Sequence, residues 1–148
     1  MVGFGGNNGS TILGGILANK NNVIWNTKKG EQKATMYGSM TQCSTMKVAE
    51  GEDGEVFLPI KEVIPLIEPT DLVIGGWDIN AADLADSMKR AEVFDYDLQL
   101  KLAPEMRRFK PMKSIYYSDF IAANQTSRAD HILEGDNINK LTHLKQIR

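Results

Sequence analysis

The sequence predicts an α/β fold with a mainly parallel sheet. Short strand-like runs alternate with apolar residues at helical spacing, and a glycine-rich segment at the start leads into the first such helix. The apolar run at residues 72–74 lies between Asp71 and two glycines, a pattern typical of a strand buried on both faces of a parallel sheet. In such sheets ligands bind beyond the carboxyl ends of the strands, so the loops at those ends are the candidate binding sites.

The composition is that of one ordinary soluble domain. Of the 148 residues, 42% are hydrophobic and 24% are charged, which excludes disorder over the whole length. The 17 basic and 19 acidic residues nearly balance, so there is no positive field to attract nucleic acid or an anionic membrane. No apolar run reaches the roughly 20 residues of a membrane helix, and no secretory leader is visible. With a single cysteine, we expect a cytoplasmic protein without nucleic-acid or membrane partners.

The first helix is predicted directly after the glycine-rich segment. Its apolar residues follow helical spacing: Ile12, Leu13, Ile16 and Leu17. Gly14 and Gly15 interrupt this pattern, and each costs about 1 kcal/mol relative to alanine unless another segment packs closely against it. We expect a sheet to pack there.

The middle of the chain predicts a strand, a hairpin and a short helix. Residues 23–25 form a β-prone run that continues the alternation of strands and helices. Residues 41–50 and 55–58 predict the arms of a β-hairpin, joined by the turn-rich segment 51–54. Prolines in and around residues 61–67 leave room for only a short helix.

Further helices are predicted in the last part of the chain. Asn80 is the expected N-cap of one helix, and residues 96–108 form the next. The apolar residues aligned on these two helices are Leu84, Met88 and Ala91, then Leu98, Leu102 and Met106. Residues 114–117 are expected to be extended, and Asp119 to open another helix. An amphipathic C-terminal helix is indicated by apolar residues at helical spacing: Ile138, Leu141, Leu144 and Ile147.

The glycine-rich loop is the first candidate binding site. Backbone N–H groups at a helix N-terminus can meet a phosphate, and glycine lets the backbone approach it closely. Gly5, Gly6, Asn7 and Asn8 suit this task, in a variant of the dinucleotide-binding fingerprint in which Asn8 fills the third glycine position. Two residues precede the first glycine, so the first strand is largely missing, and no acid before Glu31 can bind a ribose. A flexible glycine-rich start without a ligand is an equal alternative.

Two further polar clusters are candidate binding residues. Asp78 follows two glycines and a tryptophan, where a carboxylate could accept hydrogen bonds from a ribose or an adenine edge. A helix-opening turn residue is equally consistent with that position. Residues 124–128 combine amides, hydroxyls and the Arg128 guanidinium, which suit a phosphate or a sugar, although a solvated turn is the commoner explanation.

Metal and nucleophile chemistry have little support in the sequence. His131 and His143 lack carboxylate or thiol partners at ligand spacing, so we predict no metal site. Cys43 has no recognisable histidine partner and is expected to be a small buried residue. Spacing gives no lysine a catalytic role, and we predict no catalytic residue in this chain.

Four segments carry a family resemblance. Residues 3–11, 37–42, 75–79 and 119–125 read GFGGNNGST, YGSMTQ, GGWDI and DFIAANQ. In order and approximate spacing they resemble the myo-inositol-1-phosphate synthase family, also called inositol-3-phosphate synthase. The likeness extends over nearly the whole chain and weakens after Gly135.

This resemblance implies a partial Rossmann-type NAD-binding domain over residues 1–148. The family uses NAD to oxidise D-glucose 6-phosphate transiently, lets the opened sugar cyclise, and reduces the product to 1D-myo-inositol 3-phosphate, in inositol and phospholipid biosynthesis. By resemblance, Asp78 holds the adenosine ribose of NAD. The implied NAD-binding positions are Gly5, Gly6, Asn7, Asn8, Asp78, Ser114, Ile115, Gln125 and Arg128.

The resemblance also implies what this chain lacks. Family members are much longer, and the residues that bind the substrate phosphate and move protons lie with the tetramer-forming domain in the part that follows. We therefore expect a truncated and inactive chain that supplies NAD-binding residues to a homo-oligomer. The alternative is a non-catalytic short isoform that associates with full-length synthase subunits and modulates them. An independent dinucleotide-binding protein is disfavoured by the missing strand.

Overall fold

The computed structural model describes residues 1–119 and 123–133. The helices are α1 (Asn7–Lys20), α2 (Met40–Cys43), α3 (Ile60–Val63), α4 (Leu84–Ala91) and α5 (Tyr96–Met106). The strands are β1 (Ile24–Thr27), β2 (Gly30–Lys33), β3 (Thr45–Gly51), β4 (Gly54–Pro59), β5 (Trp77–Asp78) and β6 (Met112–Lys113). Short 3₁₀ turns occupy Pro69–Asp71 and Ala123–Arg128. The helix expected from Asp119 lies partly outside the described residues, and the C-terminal helix and His143 lie wholly outside them.

A short parallel sheet joins four segments of the chain. β5 pairs with β6 in parallel, Trp77 opposite Met112. Isolated parallel bridges join Val2 to Trp77 and Ser114 to Ile132, so four segments of the chain run side by side in one direction. Helices connect these segments, as they do in α/β proteins. The predicted α/β class with a partial Rossmann-like parallel sheet is therefore confirmed.

The apolar run at residues 72–74 is not the buried strand that we predicted. Val73 is fully exposed and Leu72 is 49% exposed. Backbone pairing with neighbouring segments begins later, where Gly75 O accepts from the Met1 amino group at 2.7 Å and Met112 N donates to Gly76 O at 2.8 Å. A buried strand needs neighbours along both edges, and within the described residues this run has none. The strand is therefore restricted to Trp77–Asp78.

The β-prone run at residues 23–25 belongs to a hairpin and not to the parallel sheet. β1 pairs with β2 in the antiparallel direction, and the hairpin lies against α5. Asn26 N donates to Asp97 Oδ2 at 2.8 Å, and Lys101 Nζ donates to Ile24 O at 2.6 Å. The Asn26 amide, followed by the Lys101 ammonium, lowers the pKa of the Asp97 carboxyl. The expected alternation of strand and helix therefore fails here.

The second hairpin and the short helix after it are present as predicted, except that residues 41–43, expected in the first arm, belong to α2 and the strand begins at Thr45. β3 and β4 pair in the antiparallel direction around the turn between Gly51 and Gly54. Gly54 has a φ of +114°, which glycine adopts without the strain that a side chain would add. The helix α3 occupies a single turn directly after β4.

The hydrophobic core lies between α1, α4 and α5. The side chains buried there are Phe4, Leu13, Leu17, Ala18, Leu84, Ala85, Met88, Leu98, Leu102 and Met106. The predicted apolar stripe of α5 is confirmed, because its three aligned residues are each no more than 3% exposed. Among residues 1–119 and 123–133, no helix has the length and apolar character that crossing a bilayer requires.

Asp83, and not Asn80, caps α4. Asp83 Oδ1 accepts from Ala85 N at 3.0 Å and from Asp86 N at 2.9 Å, which satisfies two of the free amides of the first turn. Asn80 lies too far before the helix for this role. Its side-chain amide instead donates to Arg128 O at 3.2 Å, so it ties the segment after β5 to the 3₁₀ turn.

The glycines of α1 have different surroundings. A Cβ at Gly14 would lie 2.5 Å from Cε2 of Phe94, so an aromatic ring packs there and not the sheet that we expected. A Cβ at Gly15 would meet nothing within 4 Å. A Cβ at Gly9 would lie 2.2 Å from the carbonyl oxygen of Phe4, which is backbone and has little room to move. Gly9 therefore allows α1 to start directly against the loop.

The contrast between Gly9 and Gly15 predicts opposite effects of the same substitution. Gly9→Ala should lower the free energy of unfolding by roughly 1–3 kcal/mol, because the new methyl group overlaps the Phe4 carbonyl. Gly15→Ala should raise it by about 0.5–1 kcal/mol, because alanine loses less conformational entropy in a helix. Urea unfolding followed by circular dichroism measures both. Equal effects of the two substitutions would contradict the close approach at Gly9.

Candidate cofactor-binding site

A cleft of about 510 Å³ lies where the glycine-rich loop meets the carboxyl ends of β5 and β6. It brings together most of the residues predicted to bind a cofactor: Gly6, Asn7, Asp78, Ser114, Ile115, Gln125 and Arg128. Gly5 is buried beside them, and Asn8 is the next residue on α1, exposed and outside the lining. The site is therefore at the end of the parallel strands, where ligands bind in α/β proteins.

The loop is attached to the end of β5 by backbone hydrogen bonds. Gly3 N and Phe4 N both donate to Trp77 O, at 2.9 and 3.0 Å, and Gly6 N donates to Gly3 O at 3.0 Å. Phe4 is 1% exposed and anchors the loop in the core. The loop is thus held at several points before α1 begins.

The first turn of α1 has free backbone amides beside this cleft, which Gly6 and Asn7 line. Gly6 is the N-cap and has no side chain to accept from them, and the first turn contains no acidic residue. The amides of Asn7, Asn8 and Gly9 precede the first residue that can bond to a carbonyl within the helix. They carry the positive end of the helix dipole, which suits a phosphate group.

The loop has the close contacts that the fingerprint glycines make. A Cβ at Gly6 would lie 3.1 Å from Gly3 O, and one at Gly5 would lie 3.0 Å from Ser87 Oγ. We predicted that Asn8 takes the place of the third glycine, but Gly9 makes the close approach to the Phe4 backbone. The fingerprint is therefore completed one residue later than expected, because the helix begins at Asn7.

The Asp78 carboxylate is buried and already bonded to the protein. Its Oδ2 accepts from Gly5 N at 2.8 Å and its Oδ1 from Asn80 N at 3.0 Å, with the residue 7% exposed. The side chain therefore fixes the loop to the end of β5. A hydrogen bond from Asp78 to a ribose stays a prediction, and each oxygen keeps a further lone pair for it.

Arg90 is a residue of the cleft that sequence reasoning missed. Its Nη2 donates to Gly5 O at 2.7 Å, and the side chain lines the cleft together with Arg128. Partial burial lowers the pKa of Arg90, the charge of Arg128 lowers it further, and that of Asp78 opposes the change. Nothing in the sequence connects α4 with a loop 85 residues earlier.

The segment 124–128 is a 3₁₀ turn that is joined to the rest of the site. Asn80 Nδ2 donates to Arg128 O, and Ala81 N donates to Asp130 Oδ1 at 3.0 Å. The hydroxyls of Tyr116 and Thr126 are 3.0 Å apart. The polar side chains of this turn are largely exposed, while Gln125 is half-buried and lines the cleft. Residues 124–128 thus form a surface turn that also lines one side of the cleft and is hydrogen-bonded to the segment after β5.

The remaining candidates take no part in the cleft. His131 Nε2 lies 3.1 Å from Pro111 O. Cys43 is exposed and donates to Met36 O at 3.0 Å, so our expectation of a buried cysteine is wrong. It ends a four-residue helix whose buried side chain is the neighbouring Gln42. In the part of the chain that the structure describes, no three His, Cys, Asp or Glu residues form a possible metal site.

Comparison with known proteins identifies the family. The model of an NAD-binding family, described as myo-inositol-1-phosphate synthase, matches residues 1–148. The chain belongs to the myo-inositol-1-phosphate synthase family. The resemblance of the four segments is thereby confirmed, and NAD is the cofactor of this family.

Relatives and a solved structure agree with this family. Over the whole chain, the sequence is 48% identical to inositol-3-phosphate synthase of Dictyostelium discoideum and 47% identical to that of Saccharomyces cerevisiae. The crystal structure of inositol-3-phosphate synthase from Caenorhabditis elegans superposes with a TM-score of 0.93 at 46% identity over 99% of this chain. The chain spans 29% of the length of each of these three proteins.

The site fits the cofactor of the family. Glycines stand where side chains would collide with backbone or fill the loop, and the start of α1, where a pyrophosphate can accept from free amides, lines the cleft with Gly6 and Asn7. Gly5, Gly6, Asn7 and Asn8 would hold the pyrophosphate. Bound NAD supplies a hydride acceptor and donor, and the residues of this cleft would bind and orient it.

The buried bonds of Asp78 predict a large effect of a small substitution. Asp78→Asn should lower the free energy of unfolding by about 1.5–3 kcal/mol, because a neutral amide replaces a carboxylate that accepts from two backbone amides. Urea unfolding of the chain without ligand measures this effect. Asp71→Asn is the matched control, because Asp71 is exposed and its substitution should change stability by less than about 0.5 kcal/mol. A similar loss in both variants would argue against the attachment by Asp78.

Proposed function

We propose that residues 1–148 form a partial NAD-binding domain of an inositol-3-phosphate synthase. The complete enzyme would convert D-glucose 6-phosphate to 1D-myo-inositol 3-phosphate with NAD, in inositol and phospholipid biosynthesis in the cytoplasm. The observation that carries the proposal is the glycine-rich loop, fixed to β5 so that Gly6 and Asn7, at the start of α1, line the cleft. The family match over the whole chain supports it.

The proposed position of NAD follows from the walls of the cleft. The pyrophosphate would lie against the amides at the start of α1, because these are the strongest neutral anion donors there. Gln125 and Arg128 would contact the cofactor from the 3₁₀ turn, and Ser114 and Ile115 from the segment after β6. The Asp78 carboxylate would hold the loop through its hydrogen bond from Gly5 N, and its remaining lone pairs would accept from a ribose hydroxyl.

Proton transfer requires groups that the described cleft does not provide. Its lining within the described residues includes no lysine or histidine, and the Asp78 carboxylate is engaged by two amides. Transient oxidation of a sugar and ring closure both require a general base or acid near the reacting carbon. We therefore propose that this chain contributes cofactor binding and no catalytic residue.

Association with other subunits is the second part of the proposal. Val56, Phe57 and Val73 are exposed apolar residues, at 44%, 52% and 102%. Apolar surface of this kind favours contact with further protein. We propose a homo-oligomer, as in the family tetramer. Contact with full-length synthase subunits by a non-catalytic short form is the second candidate, and co-purification with a change of their activity would support it.

NAD binding by this chain is the central test. Calorimetric titration should give saturable binding of NAD by the folded chain. Gly6→Ala should weaken it by about tenfold, because a methyl group there crowds Gly3 O and narrows the phosphate loop. Gly75→Ala should leave it unchanged, because nothing lies within 4 Å of its Cβ position. A folded chain, verified by circular dichroism, that gives no NAD binding would refute the proposal.

Catalysis by this chain is expected to be absent. With NAD and D-glucose 6-phosphate present, no inositol phosphate should form, because the cleft lining within the described residues includes no lysine or histidine and its one carboxylate accepts from two backbone amides. Chromatographic detection of inositol phosphate, with a complete synthase as positive control, measures this. Product formation above the background without protein would overturn the assignment of this chain to cofactor binding alone.

A further inference from the structure

Gly5 is held on both of its peptide groups by side chains from other elements. Its N–H donates to Asp78 Oδ2 at 2.8 Å, and its carbonyl oxygen accepts from Arg90 Nη2 at 2.7 Å. The planar peptide units on either side of its Cα are thereby fixed in space. Ser87 Oγ lies 3.0 Å from the Cβ position of Gly5, so no side chain fits between loop and α4.

We propose that Arg90 is a positioning residue for the cofactor, acting through the Gly5 carbonyl to hold the loop in its phosphate-binding conformation. This inference rests on the proposed function, because it concerns the same NAD site. The Gly5 carbonyl and the Gly6 amide belong to one peptide unit, and Gly6 is the N-cap of α1. A bond to that carbonyl therefore sets the orientation of the unit from which the helix amides start.

A loop with this many glycines needs such a restraint. Glycine has more backbone freedom than any other residue, so an unrestrained loop would sample many conformations in which its amides do not converge. Restraint in the free protein reduces the ordering cost of binding and so raises affinity. Arg90 and Asp78 supply this restraint from α4, which packs against α1 and α5, and from β5, which pairs with β6.

The position of Arg90 also gives the cleft its charge. Arg90 and Arg128 both line it, and the carboxylate opposite them is Asp78. The positive charge of Arg128 makes the charged form of Arg90 less favourable, which contributes to the lowered pKa of Arg90. A pyrophosphate in the cleft would relieve this repulsion, because its negative charge would lie close to both guanidinium groups.

Variants at two adjacent residues of α4 test the inference. Arg90→Met removes the hydrogen bond and the charge, and should weaken NAD binding at least about tenfold in calorimetric titration. Arg90→Lys retains a donor and a charge and should recover part of the affinity. Lys89→Met is the matched control, because Lys89 is exposed, lines a different groove and loses the same charge. Its NAD affinity should equal that of the wild type.

Amide hydrogen exchange separates positioning from a merely structural role. In the chain without NAD, Arg90→Met should accelerate exchange at Gly5 and Gly6 while exchange in α5 and the urea midpoint stay unchanged. Loss of protection throughout the fold would show a structural role and overturn the inference. Should Arg90→Met fail to fold, Arg90→Gln replaces it, because glutamine is too short to span the distance to the Gly5 carbonyl.

The outcomes distinguish this inference from the proposed function. A wild-type chain that binds no NAD would refute both. Wild-type binding together with unchanged affinity in Arg90→Met would refute the role of Arg90 and leave the proposed function standing. Weaker binding without faster exchange at Gly5 and Gly6 would overturn positioning in favour of direct contact between Arg90 and the cofactor. Weaker binding with local acceleration supports the inference.

Discussion

The attachment of the glycine-rich loop to the end of β5 is the constraint on which the rest of the structure depends. Trp77 O accepts two backbone amides of the loop, and the next residue, Asp78, accepts a third. Phe4, between these bonds, is buried among the core side chains. Since α1 begins two residues after Gly5, these contacts set where the helix starts and which way its free amides face. The same few hydrogen bonds thus fix both the candidate cofactor site and the position of Phe4 in the core.

Backbone must approach backbone for this attachment to form. A Cβ at Gly76 would lie 2.2 Å from Met1 O, and a Cβ at Gly9 would lie at the same distance from Phe4 O. Side chains at either position would separate the loop from β5 or from α1. Gly76 and Gly9 therefore have a packing role, and their substitution would disturb the loop that lines the cleft as well as the stability of the fold.

The parts of the fold that the sequence predicted are those determined by local chemistry. The hairpin turn at residues 51–54 and the apolar stripe of α5 depend on turn residues and on helical spacing, and both are present. The prediction of a buried strand at residues 72–74 failed because an apolar pattern shows only that a segment is suited to burial. It does not show whether neighbouring strands are present to cover that segment. Asn80 and Cys43 failed for different reasons: the Asp83 carboxylate caps α4 locally, so the helix starts three residues later than Asn80 would place it, and the exposure of Cys43 depends on tertiary packing.

The candidate site likewise has some residues that the local sequence predicts and one, Arg90, that it does not. Its amide donors could be predicted, because a glycine-rich segment before a helical pattern places them by local geometry. The family resemblance added the positions in the later segments. Arg90 could not be predicted, because its bond to Gly5 depends on how α4 packs against a loop that is far away in the chain. A side chain that acts on backbone leaves no motif, since any carbonyl accepts equally well.

The charge distribution shows why the shape of the loop matters so much. The chain has a formal net charge of -2, so a phosphate compound gains no long-range attraction from the protein as a whole. What attracts it acts within the cleft: the free amides of α1 and the guanidinium groups of Arg90 and Arg128. Amide dipoles act over short distances and only when they are aligned. In the proposed site, the affinity for a phosphate compound would therefore depend on a restrained loop more than on total charge, and the hydrogen bonds on either side of Gly5 supply that restraint.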